Sequence, residues 1–136
     1  MKARGKQRGG NEGPSQRQLR AAELVRHALV QLLAREGLRD PELVGVSITV
    51  GEVRASPDLK HMNVFVSPLG AVGDSRAIAA ALNRASGFLR GRLGREIELR
   101  FTPELNFLPD LSYEEARHID ELLDSERVRK DLEDKG

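Results

Sequence analysis

Arg84, Arg90, Arg92, Arg95 and Arg100 crowd one stretch of this chain, opposed there only by Glu96 and Glu98. Guanidinium groups gathered this way suit phosphate, because each is permanently charged and presents a planar fork of donors. Ala85-Ser86-Gly87 interrupts the helical pattern in the middle of this stretch. A glycine inside a helix costs roughly 1 kcal/mol relative to alanine. Gly87 therefore reads in one of two ways: it bends the helix and admits a partner's backbone, or it packs closely beside another element. The chemistry expected is non-covalent binding of a phosphate backbone. Arg84, Arg90 and Arg92 lead the expected site, with Arg95, Lys60 and Arg54 behind them. Ala85, Ser86 and Gly87 are expected to supply close approach and register-setting hydrogen bonds.

Other chemistries find little support. His27, His61 and His118 sit on three different elements, there is no HExxH pattern, and cysteine is absent. No metal site is expected from that spacing. Asp110, Glu114 and Glu115 cluster, but acids gather at helix starts for electrostatic reasons alone. Ser47, Ser56, Ser67 and Ser86 lack a nucleophile elbow, and no GxxxxGK[ST] phosphate loop is present. The expectation is a non-enzyme with no catalytic residue and no cofactor. Gly91-Arg92-Leu93-Gly94 matches GxxG, the backbone-clamping loop of KH domains. Leu93 continues an apolar stripe and Gly94 stands where a helix should stop, so the match is read as a helix end. Aromatic residues make up only 4% of the chain, and no exposed aromatic platform for reading bases is expected.

The elements that must position these residues follow from pattern. The chain's 136 residues suit one aliphatic-cored domain, expected over 15–123, between a flexible basic tail at 1–14 and a charged flexible tail at 124–136. The net charge of +1 conceals a split: residues 1–109 carry 17 Lys/Arg against 11 Asp/Glu, and residues 110–136 carry 5 against 10. That division suggests a basic working face and an acidic end, or merely a solvated surface. There is no long apolar run and no secretory signal pattern, and with no cysteine the chain suits a reducing, cytoplasmic compartment.

Ser15-Gln16-Arg17-Gln18 is a capping box that starts a helix carrying Leu19, Ala22, Val25, Leu29, Leu32 and Leu33 on one stripe. Leu43–Gly51 alternates as a first strand, with a bulge expected at Gly51 because Val53 falls out of phase. A turn over Arg54–Asp58 leads to a second strand, Leu59–Ser67, antiparallel to the first. Phe65 lies on its more polar face, to pack against a helix or terminal segment or to stack on a base. Asp74 or Ser75 caps the next helix. A third strand is expected over Glu96–Thr102, with Ile97, Leu99 and Phe101 inward. Glu104–Pro109 is expected to be extended, anchored by Leu105 and Phe107. Ser112–Glu115 is a second capping box, opening a helix with Ala116, Ile119, Leu122 and Leu123 on one face. The order α-β-β-α-(kink)-α-β-α implies an α+β fold: a small three-stranded mixed sheet with helices packed on one face.

In this order and spacing, three segments resemble the bacterial ribosome-binding factor A family. They are Ser56–Ser67, Ala85–Arg90 with Leu93-Gly94, and Leu99–Phe107 with Asp110 and Ser112. The resemblance implies a type II KH-like domain in which the GxxG loop is replaced by an Ala-x-Gly helix kink, here Ala85, Ser86 and Gly87. It implies a non-catalytic, monomeric assembly factor. Such a factor binds the small (30S) ribosomal subunit and its 16S rRNA during late maturation and rRNA processing, with a maturation GTPase as a further partner. An adaptor docking that GTPase or a ribosomal protein, and a KH module for single-stranded RNA, stand as alternatives.

Overall fold

The computed structural model describes residues 13–35, 37–71 and 73–135. The first twelve residues of the expected basic tail, with Lys2, Arg4, Lys6 and Arg8, lie outside them. Helix α1 spans Gln16–Arg35, strand β1 Ile48–Ala55 and strand β2 His61–Pro68. After a 3-10 turn at Leu69–Ala71 come α2 (Ser75–Arg84), α3 (Ser86–Glu96), β3 (Glu104–Pro109) and α4 (Ser112–Lys135). The sheet order is β1-β2-β3, antiparallel then parallel. Both the expected element order and the mixed sheet are found.

The caps explain where the helices begin. Ser15 and Gln18 exchange bonds: the Ser15 amide donates to Gln18 Oε1 at 2.8 Å and the Gln18 amide to Ser15 Oγ at 3.1 Å. The Gln18 amide group also donates to the Ala55 carbonyl at 2.9 Å, which hooks α1 to the end of β1. Asp74, not Ser75, caps α2 by accepting from the Arg76 amide. At the start of α4, Asp110 Oδ1 accepts from both the amide and the hydroxyl of Ser112.

One face of the sheet is buried. Val50 and Val53 of β1, Met62, Val64 and Val66 of β2, and Leu105 and Phe107 of β3 meet Val25, Leu29 and Leu32 of α1, Ile78 and Leu82 of α2, and Leu89 and Leu93 of α3. The pairing register shifts between Val50 and Glu52, so Gly51 is the bulge that returns Val53 to the core. The outer edge of β3 is closed by a side chain. Phe107 donates its amide to Asn83 Oδ1 at 2.8 Å and accepts from Asn83 Nδ2 at 2.9 Å, as a neighbouring strand would.

Three elements differ from expectation. The first strand begins at Ile48, because Asp40-Pro41 opens a turn instead. The Asp40 carbonyl accepts from the amides of Leu43 and Val44, and Gly45 takes φ 74°, which no extended strand allows. The third strand is Glu104–Pro109, not Glu96–Thr102. A parallel partner for β2 must start beside His61, and Glu104 does so. Residues 97–103 are used in travelling back to that point, which leaves Ile97 and Leu99 half-buried and Phe101 exposed. Finally, α4 continues to Lys135 through the stretch expected to fray, and its apolar face of Ile119, Leu122 and Leu123 stays exposed. No helix among the described residues is long and apolar enough to cross a membrane.

Candidate nucleic-acid interface

A single residue separates α2 from α3. Ala85 sits at φ −98°, ψ 9°, outside the helical region. Its amide bonds back to the carbonyls of Ala81 (3.2 Å) and Leu82 (3.0 Å), and its carbonyl accepts from the Leu89 amide at 3.0 Å. Helix α3 therefore starts afresh, and no side chain caps it. The amides of Ser86, Gly87 and Phe88 form the first turn of α3. These are the donors that carry the positive end of a helix dipole. A Cβ built on Gly87 meets nothing within 4 Å. Of the two roles open to this glycine, packing beside another element is not the one used; its side of the helix is free for approach.

The arginines divide by what already holds them. Arg84 forms a two-pronged pair with Asp40, Nε to Oδ2 at 2.9 Å and Nη2 to Oδ1 at 3.1 Å. That pair ties the loop before β1 to the kink. Its hydrogen bonds, with one from the Glu42 amide, hold the Asp40 carboxyl below its ordinary range, and the same pairing raises Arg84. Arg90 donates from Nε and Nη2 to the carbonyls of Thr102 and Pro103, at 2.9 to 3.3 Å. Its guanidinium thus anchors the path into β3, a structural use that the sequence did not reveal. Arg92 lies over the ring of Phe88, 5.1 Å from its centroid. Arg95 is exposed in the last turn of α3.

Arg92 also lines a cleft of about 520 Å3 with Leu38, Arg39, Asp40, Ala85 and Phe88. The cleft joins the kink to the loop after α1. Arg39 and Phe88 were not singled out in the sequence: Arg39 lies more than forty residues from the kink in the chain, and Phe88, next to Leu89, carries no signal that tells an exposed ring from a core one. Phe88 is instead 45% exposed and Phe101 55%. The expectation of no exposed aromatic surface is therefore corrected. Two phenylalanines reach solvent, each with a cation over its ring.

Two expected residues lie apart from the kink. Arg54 is on the open face of the sheet, paired with Glu52 at 2.7 Å and stacked 5.0 Å from the centroid of Phe65. Phe65 thus packs under Arg54, not under a helix. Lys60 follows the β1–β2 turn and sits 5.4 Å from the Phe101 ring centroid. The GxxG match at Gly91–Gly94 lies wholly within α3. A Cβ on Gly94 would stand 2.9 Å from Thr102 Oγ1, so Gly94 admits the returning chain. The exposed loop that a single-stranded-RNA KH module needs is not there. Among the described residues no group of His, Asp or Glu is placed to hold a metal.

Comparison with known proteins agrees with this architecture. The family model of ribosome-binding factor A matches residues 17–123. Ribosome-binding factor A of Hyphomonas neptunium is 62% identical over 125 residues, covering 90% of this chain and 93% of that protein. The Maricaulis maris protein of the same name is 62% identical over 123 residues, covering 90% and 86%. Among solved structures, the crystal structure of the Thermus thermophilus factor aligns at 29% identity with a TM-score of 0.56, covering 68% of this chain and 94% of that one. A homology model of the Thermus thermophilus factor, fitted into the cryo-EM map of a 30S–factor complex, aligns at 29% identity and TM-score 0.52, covering 65% and 89%.

Proposed function

We propose that this chain, which belongs to the ribosome-binding factor A family, is a non-catalytic assembly factor that binds the small ribosomal subunit through its kink. On this reading it acts in the cytoplasm on the 16S rRNA during late maturation. The start of α3 meets the RNA backbone with the first-turn amides of Ser86, Gly87 and Phe88, and Arg92 and Arg95 add charge around them. Arg39 reaches the same phosphates across the cleft. Arg84 sets the geometry through Asp40, and Arg90 through the Thr102 and Pro103 carbonyls. Lys60 and Arg54 lie on surfaces apart from the kink, beside Phe101 and Phe65. The domain proper is 15–123, and residues 1–14 and 124–136 are its appendages.

The single observation that carries this reading is the open space over Gly87 at an uncapped helix start. The fold tolerates a side chain there, so the glycine serves contact with something outside the chain. Binding of this kind releases counterions, and its affinity falls with salt in proportion to the phosphates neutralised. The test is co-sedimentation with isolated small and large subunits across a salt series. The expected outcome is selective small-subunit binding. Arg92→Glu/Arg95→Glu should lower the slope of log affinity against log salt by about 1.4–1.8, the share of two phosphate contacts. Equal binding to both subunits, or an unchanged slope in the double variant, would refute the assignment.

A further inference from the structure

We propose that Phe101, with Arg17, Lys60 and Arg100, forms a second RNA contact that takes one unpaired base. It rests on the reading above that RNA is the partner, but it lies apart from the kink. Phe101 follows Ile97 and Leu99 in an alternation that would bury it in a strand. The chain is irregular there, and the ring is 55% exposed while Pro103 and Leu105 just beyond are buried. A lone exposed phenylalanine would mean little. This one has two cations over it: Lys60 Nζ lies 5.4 Å and Arg100 Cζ 5.7 Å from its ring centroid. Beside the ring is a hollow of about 140 Å3, lined by Arg17, Asp58, Leu59, Leu99, Arg100 and Phe101.

The surroundings of the ring are fixed rather than loose. Asp58 Oδ1 accepts from the Ser56 hydroxyl at 2.6 Å and from the Lys60 amide at 3.0 Å. The His61 amide donates to Ser56 Oγ at 3.1 Å, and the Glu104 amide to the Lys60 carbonyl at 2.8 Å. Leu59 is held at φ 63°, a left-handed conformation that a leucine seldom adopts. Lys60 is thus presented from a braced backbone. Two of those bonds engage Oδ1 of Asp58, the one carboxylate on the lining. The exposed part of the ring, with two cations over it and Arg17 on the hollow beside it, takes a base of any identity while the cations hold the adjoining phosphates. A paired duplex offers no free base face, so the ligand class is a single-stranded or bulged segment.

The chain has no tryptophan, so Phe101→Trp installs a lone indole at the site. That variant is titrated with a decamer of oligouridylate, with inorganic polyphosphate and with isolated small subunits, alongside wild type and Phe101→Leu. Stacking predicts indole quenching by the oligouridylate and by the subunits, but not by polyphosphate at equal occupancy. It predicts that Phe101→Leu weakens oligouridylate binding by about 5- to 150-fold with no change in melting temperature. Wild-type affinity in Phe101→Leu, or equal quenching by polyphosphate, overturns the base site. Small-subunit binding that survives Phe101→Leu but is lost in Arg92→Glu/Arg95→Glu removes the base site alone. A wild-type chain that binds no RNA removes both readings.

Discussion

Gly87→Ala separates folding from binding more cleanly than any charge change. The new Cβ meets no atom within 4 Å, and Gly87 does not have a left-handed φ. The folded state therefore accepts the methyl without strain. Alanine gains up to about 1 kcal/mol over glycine within a helix, through the unfolded chain's lost freedom. At the second position of α3 the gain should lie nearer about 0.5 kcal/mol. For a folded unit of this size, a melting temperature raised by about 2–4 °C follows. Binding should move the other way. The methyl fills the space through which a phosphate would reach the amides of α3, and losing one charge-assisted bond costs about 1.5–3 kcal/mol. That is roughly a 10- to 150-fold weaker hold on the small subunit. Thermal melting by circular dichroism and co-sedimentation on the same preparation read both effects. A lower melting temperature would mean that Gly87 is packed after all. A higher one with unchanged affinity would mean that no partner approaches there.

The other predictions concern the frame around the kink. Arg90→Ala removes the donors to the Thr102 and Pro103 carbonyls, so it should cost about 1–2 kcal/mol in urea unfolding; an unchanged midpoint would return Arg90 to the binding set. Asn83→Ala strips both partners from Phe107 at the sheet edge. It should lower stability by about 1–3 kcal/mol without changing the denaturant slope, which equilibrium unfolding would show. Asp40→Asn tests the loop clamp by pH. Because folding lowers the Asp40 pKa below its ordinary 3.8, its contribution is complete above that value and fades as pH falls through the lower folded one. The gap in melting temperature between wild type and Asp40→Asn should thus be present at neutral pH and close in strong acid; a gap independent of pH would argue against the ion pair.

What could be read from the sequence was whatever is local. The Ser15–Gln18 box, the stripe through Val25, Leu29 and Leu32, the Gly51 bulge and the break at Ala85 all depend on neighbours within a few residues. What failed depended on distant partners. Ile97, Leu99 and Phe101 alternate as well as Leu105 and Phe107 do, and only the position of His61 decides which run can pair with β2. The arginine cluster was legible, but its division of labour was not. Arg84 and Arg90 look like Arg92 and Arg95 until Asp40 and the Thr102 and Pro103 carbonyls are brought beside them by the fold. Asn83 carried no signal, because an asparagine near a helix end is ordinary until a strand edge lies against it.

The position of the kink follows from the dimensions of the sheet. Leu82, Leu89 and Leu93 would share one face of an unbroken helix, so the apolar pattern does not require a break. Length does. A straight helix from Ser75 to Glu96 would be about 33 Å long, whereas the strands beneath it are about 20–27 Å long. Its far end would overrun the sheet and leave Leu93 in water. Bent at Ala85, the chain keeps Leu89 and Leu93 fully buried and lets α3 pack against α1 and β3. The bend also creates a second helix start, at Ser86, that no side chain caps. A small sheet under a long crossover thus places uncapped donors at the surface. Gly87 keeps that spot accessible, and the nearby arginines make a phosphate the ligand that best satisfies it.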